Sequence, residues 1–431
     1  MTRFKSRYIA PTYVKPVQLG QTVPSLLDEV CDRHPNPQAL QQWVKNRWQS
    51  LSNQAFRLES EELALGLLAL SLKQGDRVSL FMHSDINFCV VDMACLLAGL
   101  VNVPIDQGWT SEAILFILQQ TESAVLIVTD LELLHQISSY LGKAAFLKTV
   151  ILVDVTTAEP LPNLPSGVAV ISLESVQAQG KAQRSAQALQ KLRLAIAPDD
   201  TATIVYTTGV DGQPRGVMLS HESLAGNILA SFSSIPELKP GEAEVALLFL
   251  PLTHIFARVF LYGHFYYSHR VYFTTPKWVF SHLREVRPTF FITVPRLLEK
   301  THEKILERGK KLDGIQRWLF NWAMALALQY DLAQPSKGFY ALKLKLANRW
   351  IFSRWRSAFG GRVKFVISGG AALKPELTNV FSAAGIPVFQ GYGLTESGSA
   401  LCSNRVGMNR SGTVGLPIAG VEIAIAQTAK F

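Results

Sequence analysis

The sequence is poor in charge and in cysteine. Only 17% of its 431 residues are Asp, Glu, Lys or Arg, against 48% hydrophobic ones. Such a chain is no disordered tail; it has apolar material for a large core, and its length suits two or three domains. The four cysteines, Cys31, Cys89, Cys95 and Cys402, form no CxxC pair. That excludes a disulfide framework, argues against structural zinc and fits a reducing, cytoplasmic setting. No apolar run reaches the roughly 18 residues of a membrane span. The nearest approaches, 88–105 and 245–267, are broken by Asp92 and by His254, Arg258 and His264, and read as buried core. The opening MTRFKSRYIAPTYVKPVQLG has no apolar h-region, so no secretory signal is expected. HExxH, GxSxG, a Walker loop ending in GK[ST] and the nucleic-acid-binding signatures are missing too.

What charge there is leans positive. Lys and Arg number 42 against 33 Asp and Glu, a formal net charge of +9. Anionic partners such as nucleotides or acidic lipid surfaces suit that balance. Much of the excess lies in 296–358, a long helical stretch with Arg296, Lys300, Lys304, Arg308, Lys343 and Arg349 among its cations. It reads as a solvated helical face. The alternative is a patch for acidic lipid or an anionic carrier, so peripheral membrane contact stays open.

Short β-branched runs recur at 77–82, 101–105, 124–130, 149–155, 203–208, 245–252, 270–275, 289–295, 363–370 and 387–393. Several are apolar on both faces, and amphipathic stretches at 54–72, 111–121, 131–141 and 372–384 lie between them. This alternation predicts an α/β fold with mainly parallel sheets. Ligands in such folds bind at the carboxyl ends of strands. The Pro-, Ala-, Gln- and Ser-rich stretch 156–200 reads as a linker with one helix near 182–194, between a lobe at 24–155 and a lobe at 201–410.

Four segments could carry chemistry. YTTGVDGQPRGVMLSH, Tyr206 to His221, runs from a strand through Gly209, Gly212 and Gly216 into a second strand. Glycines let backbone amides approach an anion, and Thr207, Thr208 and Arg215 add donors for phosphate. The same residues also suit an ordinary hairpin around Asp211–Gly212. FQGYGLTES places Thr395 and Glu396 after Gly391, Tyr392 and Gly393. A hydroxyl beside a carboxylate suits a phosphate with its Mg²⁺, the carboxylate helping to bind the hard cation. VISGGAALKPE holds Gly369, Gly370 and Ala371 between a strand and a helix start, small enough for a flat aromatic base to lie against the backbone. FLPLTHIFARVFLYGHFYYSHRVYF sets His254 before an aromatic stretch. Phe256, Phe260 and Tyr267 share one helical side there, either as core or as the wall of an apolar slot that starts near His254.

In this order the four segments resemble the adenylate-forming superfamily, within it the long-chain fatty acyl-CoA synthetases and their acyl-carrier-protein-dependent relatives. The family's phosphate loop looks like YTSGTTGxPKGVMLTH. LPLTHIFAR, ISGGAAL, GYGLTE, GDRV (Gly75–Val78), NVPI (Asn102–Ile105), VRPTFFITVPRLLEK and GTVGLPIAGVEI match further signatures, from about residue 24 to the end. The resemblance implies the large N-terminal domain of such enzymes: two doubly wound, mainly parallel sheets with flanking helices, and from 411 to 431 the start of a small β subdomain. It implies attack of a fatty acid carboxylate on the α-phosphorus of ATP with Mg²⁺, giving acyl-AMP, then transfer to coenzyme A or a carrier protein's pantetheine. By the same carry-over Thr207, Thr208, Gly209, Gly212, Arg215 and Gly216 hold phosphates. Thr395 contacts phosphate and Glu396 the magnesium. Gly369, Gly370, Ala371, Gly391, Tyr392 and Gly393 border the adenine, and His254 lies near the carboxylate. Two departures stand out. Val210 and Asp211 replace the family's two hydroxyl residues, with Arg215 in place of Lys, and weaker hold on the nucleotide is expected. The sequence also stops at Phe431, ahead of the family's ribose-binding Asp and the small lobe with its catalytic Lys. A non-catalytic paralogue that binds acyl chain or nucleotide is the competing expectation.

Overall fold

A computed structural model describes residues 4–14, 16–155, 160–209, 212–332, 334 and 336–426. Val210 and Asp211 of the glycine loop lie outside these residues. The chain divides into two compact units, one made of 18–227 with 251–268 and the other of the remaining segments.

The first unit is built on a seven-stranded sheet. Its order is Pro214–Ser220, Thr201–Thr208, Val101–Pro104, Arg77–Phe81, Val125–Val128, Thr149–Leu152, Ala169–Ser172. All neighbours pair in parallel except the first two, which form an antiparallel hairpin. The central strands are buried on both faces, as their unbroken apolar runs demand. Helices Ile86–Leu97, Ser111–Gln120 and Leu131–Leu141 each start at a side chain that accepts an orphan amide: Asp85, Thr110 and Asp130. The hairpin Leu40–Val44 with Arg47–Leu51 belongs to the same unit.

The stretch expected as a linker is a working part of this unit. Ala169–Ser172 closes the sheet edge, and two helices follow, Leu173–Gln183 and Ala186–Leu194, where one was expected. Its small residues are there for contact. A Cβ at Gly180 would lie 1.7 Å from the Glu62 carbonyl oxygen, and one at Gly66 would lie 2.0 Å from the Val176 oxygen. Helices Asn53–Ala69 and Leu173–Gln183 therefore meet backbone to backbone. Arg193 adds ion pairs to Asp28 at 2.8 Å and Glu61 at 2.7 Å. The boundary expected at 200/201 also moves. Thr201–Thr208 pairs with Val101–Pro104, so the glycine loop joins the first unit.

Deep in this unit, Arg258 is 1% exposed. Its guanidinium donates to both Asp92 oxygens at 2.6 and 3.3 Å, to Thr203 Oγ1 at 2.9 Å and to Asn102 Oδ1 at 3.2 Å. The Tyr262 hydroxyl also donates to Asp92. Burial, then the Asp92 charge, raises Tyr262 well above the usual phenol range, so it keeps the proton it donates. Two of the four polar residues that interrupt the apolar runs, Asp92 and Arg258, are thus each other's partners.

In the second unit, seven strands run in the order Leu416–Pro417, Ser399–Ser403, Val388–Leu394, Phe365–Ser368, Phe290–Thr293, Val245–Leu248, Arg270–Phe273. The last five are parallel, the first two antiparallel. Helices Pro295–Lys310, Gly314–Leu328, Gly338–Ala347 and Pro375–Ala383 belong to this unit, over a core that includes Phe291, Phe352, Phe359 and Phe381. The C-terminal segment contributes Leu416–Pro417 to the sheet edge, and Glu422–Ala426 pairs antiparallel with Phe4–Ile9. The architecture is the expected α/β one, with two mainly parallel sheets and flanking helices. Among the described residues no helix is long and apolar enough to cross a membrane.

Removing one member of a buried ion pair leaves the other charged and uncompensated, at a cost of about 3–5 kcal/mol. Arg258→Met should lower stability by that amount. The Asp92→Leu/Arg258→Met pair should lose less than the two single losses added, with a coupling of at least about 2 kcal/mol. Urea unfolding of the four proteins measures this cycle; additive losses would show that the pair does not act as one.

Candidate functional site

Residues proposed from the sequence fall into three local arrangements, two in the first unit and one in the second. The hairpin comes first. Arg215 pairs across from Thr207 and Gly216 from Tyr206. The turn closes through Gly209 N to Gln213 O at 2.8 Å and Gly212 N to Gly209 O at 2.9 Å. Thr208, Gly212, Arg215 and Gly216 are exposed, Thr207 and Gly209 half-buried. The segment is a hairpin: its tip presents the Thr208 hydroxyl and the Arg215 guanidinium to solvent, while the Gly209 and Gly212 amides bond within the turn. His221, which ends the motif, plays no part at that surface. It is buried, and desolvation lowers it to about 4, so it is neutral.

The second arrangement surrounds His254. It is the N-cap residue of helix Ile255–Tyr266, and its side chain is 62% exposed. Its Nε2 stands 3.8 Å from Asp106 Oδ2, and Thr253 Oγ1 donates to that same oxygen at 2.8 Å. Leu252 N donates to Ser84 Oγ at 2.8 Å, which ties the loop down. Asp106 and Ser84 escaped the sequence reading. The one available signal was that Asp106 directly follows the NVPI strand, at its carboxyl end. Along the helix, Phe256 is half-buried, and Phe260 is buried with its ring edge-on to His264 at 3.9 Å between centroids. Tyr267 caps the helix, half-buried.

The third arrangement spans two adjacent parallel strands of the second unit. Ser368 pairs with Gln390, so Gly369–Ala371 and Gly391–Gly393 emerge side by side at the carboxyl edge. Gly369 N donates to Thr293 O at 3.1 Å, and Leu373 N to Gln390 Oε1 at 3.2 Å, which fixes the first loop. In the second loop Thr395–Ser397 forms a single 3₁₀ turn. Leu394 N donates to Ser397 Oγ at 3.1 Å, and that hydroxyl donates back to the Leu394 and Ser399 carbonyls at 2.9 and 3.0 Å. The turn presents an exposed Glu396 beside a half-buried Thr395, and Tyr392 is also exposed. Ser397, which holds the turn, was also missed from sequence.

The donor set suits magnesium delivered with phosphate. No group of three or more His, Cys, Asp or Glu side chains among the described residues could hold a metal alone. Mg²⁺ keeps several waters and takes one or two carboxylates plus phosphate oxygens, which is what a solitary exposed Glu396 beside a hydroxyl offers.

A family described as AMP-binding enzyme matches residues 27–430. The chain belongs to that family. Among curated relatives, the long-chain-fatty-acid–CoA ligase FadD15 of Mycobacterium bovis is 29% identical over 84% of this chain and 58% of its own length. Peroxisomal long-chain acyl-CoA synthetase 6 of Arabidopsis thaliana is 30% identical over 84% of this chain and 50% of its own. The chain thus spans between half and three-fifths of these relatives' length. Among solved structures, the adenylation domain of a carboxylate reductase from Mycobacterium chelonae superposes with a TM-score of 0.70 at 19% identity, over 90% of this chain and 60% of that one. A long-chain-fatty-acid-CoA ligase from Archaeoglobus fulgidus gives 0.69 at 16% identity, over 97% and 72%. These likenesses establish the N-terminal adenylation-domain fold.

Gly393 and Gly391 make a matched test of the second loop. A Cβ at Gly393 would sit 1.7 Å from the Ser399 carbonyl oxygen, whereas one at Gly391 would meet nothing nearer than 3.6 Å. Gly393→Ala must therefore displace backbone and should cost roughly 2 kcal/mol or more, while Gly391→Ala should stay within about 0.5 kcal/mol. Thermal unfolding of both variants checks this; equal losses would mean that the loop is not held as described.

Proposed function

We propose that this chain carries the nucleotide- and acyl-binding machinery of an AMP-forming long-chain fatty acid ligase. The observation that carries the reading is the paired glycine edge at Gly369–Ala371 and Gly391–Gly393, with Thr395 and Glu396 in the turn beyond it. Small residues on adjacent strand ends leave room for a flat adenine, and the turn that follows offers a hydroxyl and a carboxylate to phosphate and its metal. Magnesium, when bound with ATP, supplies charge neutralisation at the phosphates.

This chain's own residues do the rest. Thr207, Thr208 and Arg215, on the hairpin that Gly209, Gly212 and Gly216 shape, hold the β- and γ-phosphates as a leaving pyrophosphate. Thr395 donates to phosphate, and Glu396 orients the cation. His254, 3.8 Å from Asp106, stands at the fatty acid carboxylate, and Phe256, Phe260 and Tyr267 line the acyl slot. The carboxylate oxygen forms a bond to the α-phosphorus as the bond to pyrophosphate breaks, giving acyl-AMP. The catalysis is positioning and charge stabilisation, and no protein nucleophile is needed. A thiol of coenzyme A or of a carrier protein's pantetheine then takes the acyl group and releases AMP. The curated relatives' names, fatty acid–CoA ligases among them, support the acyl and thiol assignments.

The test is ATP–pyrophosphate exchange. The purified chain should move labelled pyrophosphate into ATP only when palmitate is present. Glu396→Gln should slow exchange by about 10²-fold, the scale for loss of one preorganised charge contact. ATP binding without palmitate-dependent exchange would overturn the enzymatic reading and favour a non-catalytic nucleotide binder.

A further inference from the structure

Three cations of the basic stretch, Lys304, Arg308 and Arg354, gather with Arg284 around one cavity. Its volume is about 420 Å³, within the range of small-ligand sites, and it lies wholly inside the second unit. Helices Val279–Val286, Pro295–Lys310, Gly314–Leu328 and Ser353–Ala358 supply its wall, with the π-helical turn Asn348–Phe352. The interior is apolar: Phe280, Ile305, Phe320, Ile351, Trp355 and Phe359 line it. Phe320, Trp355 and Phe359 are buried. Gly309 makes room for this lining, since a Cβ there would lie 2.0 Å from the Phe320 ring.

The rim is cationic. Arg284, Lys304, Arg308 and Arg354 are exposed, and no carboxylate lines the cavity. None of the four has an ion-pair partner among the described residues. Lys304 and Arg308 sit one helical turn apart, a like-charge spacing that costs a helix stability. Lys304 Nζ stands 4.8 Å from the centre of the Phe280 ring, and Arg284 Nε donates to the Phe280 carbonyl at 3.3 Å. Both cations are thereby held at the edge of the apolar wall. An apolar interior under an unneutralised cationic rim fits one kind of ligand, an apolar chain with an anionic head. The chain buries its surface inside, and the guanidinium groups offer paired donors to carboxylate or phosphate oxygens. An acidic protein surface would meet the cations without filling the cavity, and a plain hydrocarbon would do the reverse.

We propose that this cavity binds a single-chain amphipathic anion, tail inside and head among Arg284, Lys304, Arg308 and Arg354, at a site separate from the acyl slot. The slot residues Phe256, Phe260 and Tyr267 belong to the first unit, and none of them lines this cavity. The inference is therefore independent of the ligase reading.

Titration calorimetry of the full 431-residue chain tests it, with dodecanoate and dodecyl phosphate as probes below their micelle concentrations. The two arms tell a carboxylate head from a phosphate head. The tighter of the two should bind at least about tenfold better than dodecanol or inorganic phosphate, each of which lacks half of the ligand. Raising salt from about 0.1 to about 0.5 M should weaken it. Arg308→Gln/Arg354→Gln should weaken one site per chain about tenfold or more, with circular dichroism unchanged, and leave any binding at the acyl slot as it was. An ω-brominated undecanoate should quench tryptophan fluorescence, and Trp355→Phe should remove most of that quenching, a reading that leaves every charge in place. Dodecanol binding as tightly as both anions would overturn the proposal. So would a double variant that keeps its full affinity at every site, or quenching that survives Trp355→Phe undiminished.

Discussion

An arginine that water cannot reach sets the register of the first unit. Arg258 would be costly alone, but Asp92 neutralises it and Asn102 and Thr203 take its remaining donors. Each partner sits on a different element, so one guanidinium ties two strands and two helices together. Three candidate groups depend on those elements. Thr203 shares its strand with Thr207 and Thr208. Asn102 lies on the strand that leads to Asp106. Arg258 is one turn into the helix that His254 caps. The glycine hairpin, His254 and Asp106 are therefore positioned by one buried network.

Much of this was legible in the sequence, for reasons that can be named. Fully buried parallel strands read as unbroken apolar runs, and the ten runs found that way coincide with strands. Glycines and hydroxyls at strand ends pointed to Gly369–Ala371, Gly391–Gly393, Thr395 and Glu396, and the structure puts these on neighbouring strand ends. Tertiary partners were not legible. Asp92 and Arg258 were visible only as interruptions, because nothing local says that two breaks 166 positions apart meet. Ser397 looked like an ordinary turn residue until its hydroxyl was seen bonded to three backbone groups. The 156–200 stretch looked like a linker because small residues suit both a flexible segment and a close helix contact; only the position of Glu62 against Gly180 separates the two.

The second unit follows a different logic. Its sheet gathers the candidate residues at one edge, on glycine-rich segments whose backbones are pinned by Ser397, Gln390 and the Thr293 carbonyl. Its helical segment buries Phe320, Met324, Leu326, Phe352 and Trp355 in the core and leaves Ile315, Trp318 and Phe339 exposed.

Hydrogen–deuterium exchange with and without ATP and Mg²⁺ probes the nucleotide assignment most directly, because it reads each loop by itself and needs no turnover. Amides at 207–209, 212–216, 369–371 and 391–396 should slow together when nucleotide is added, while the helical segment 314–350 stays unchanged. Unaltered exchange in all four loops at saturating nucleotide would contradict the assignment of these glycine edges to ATP.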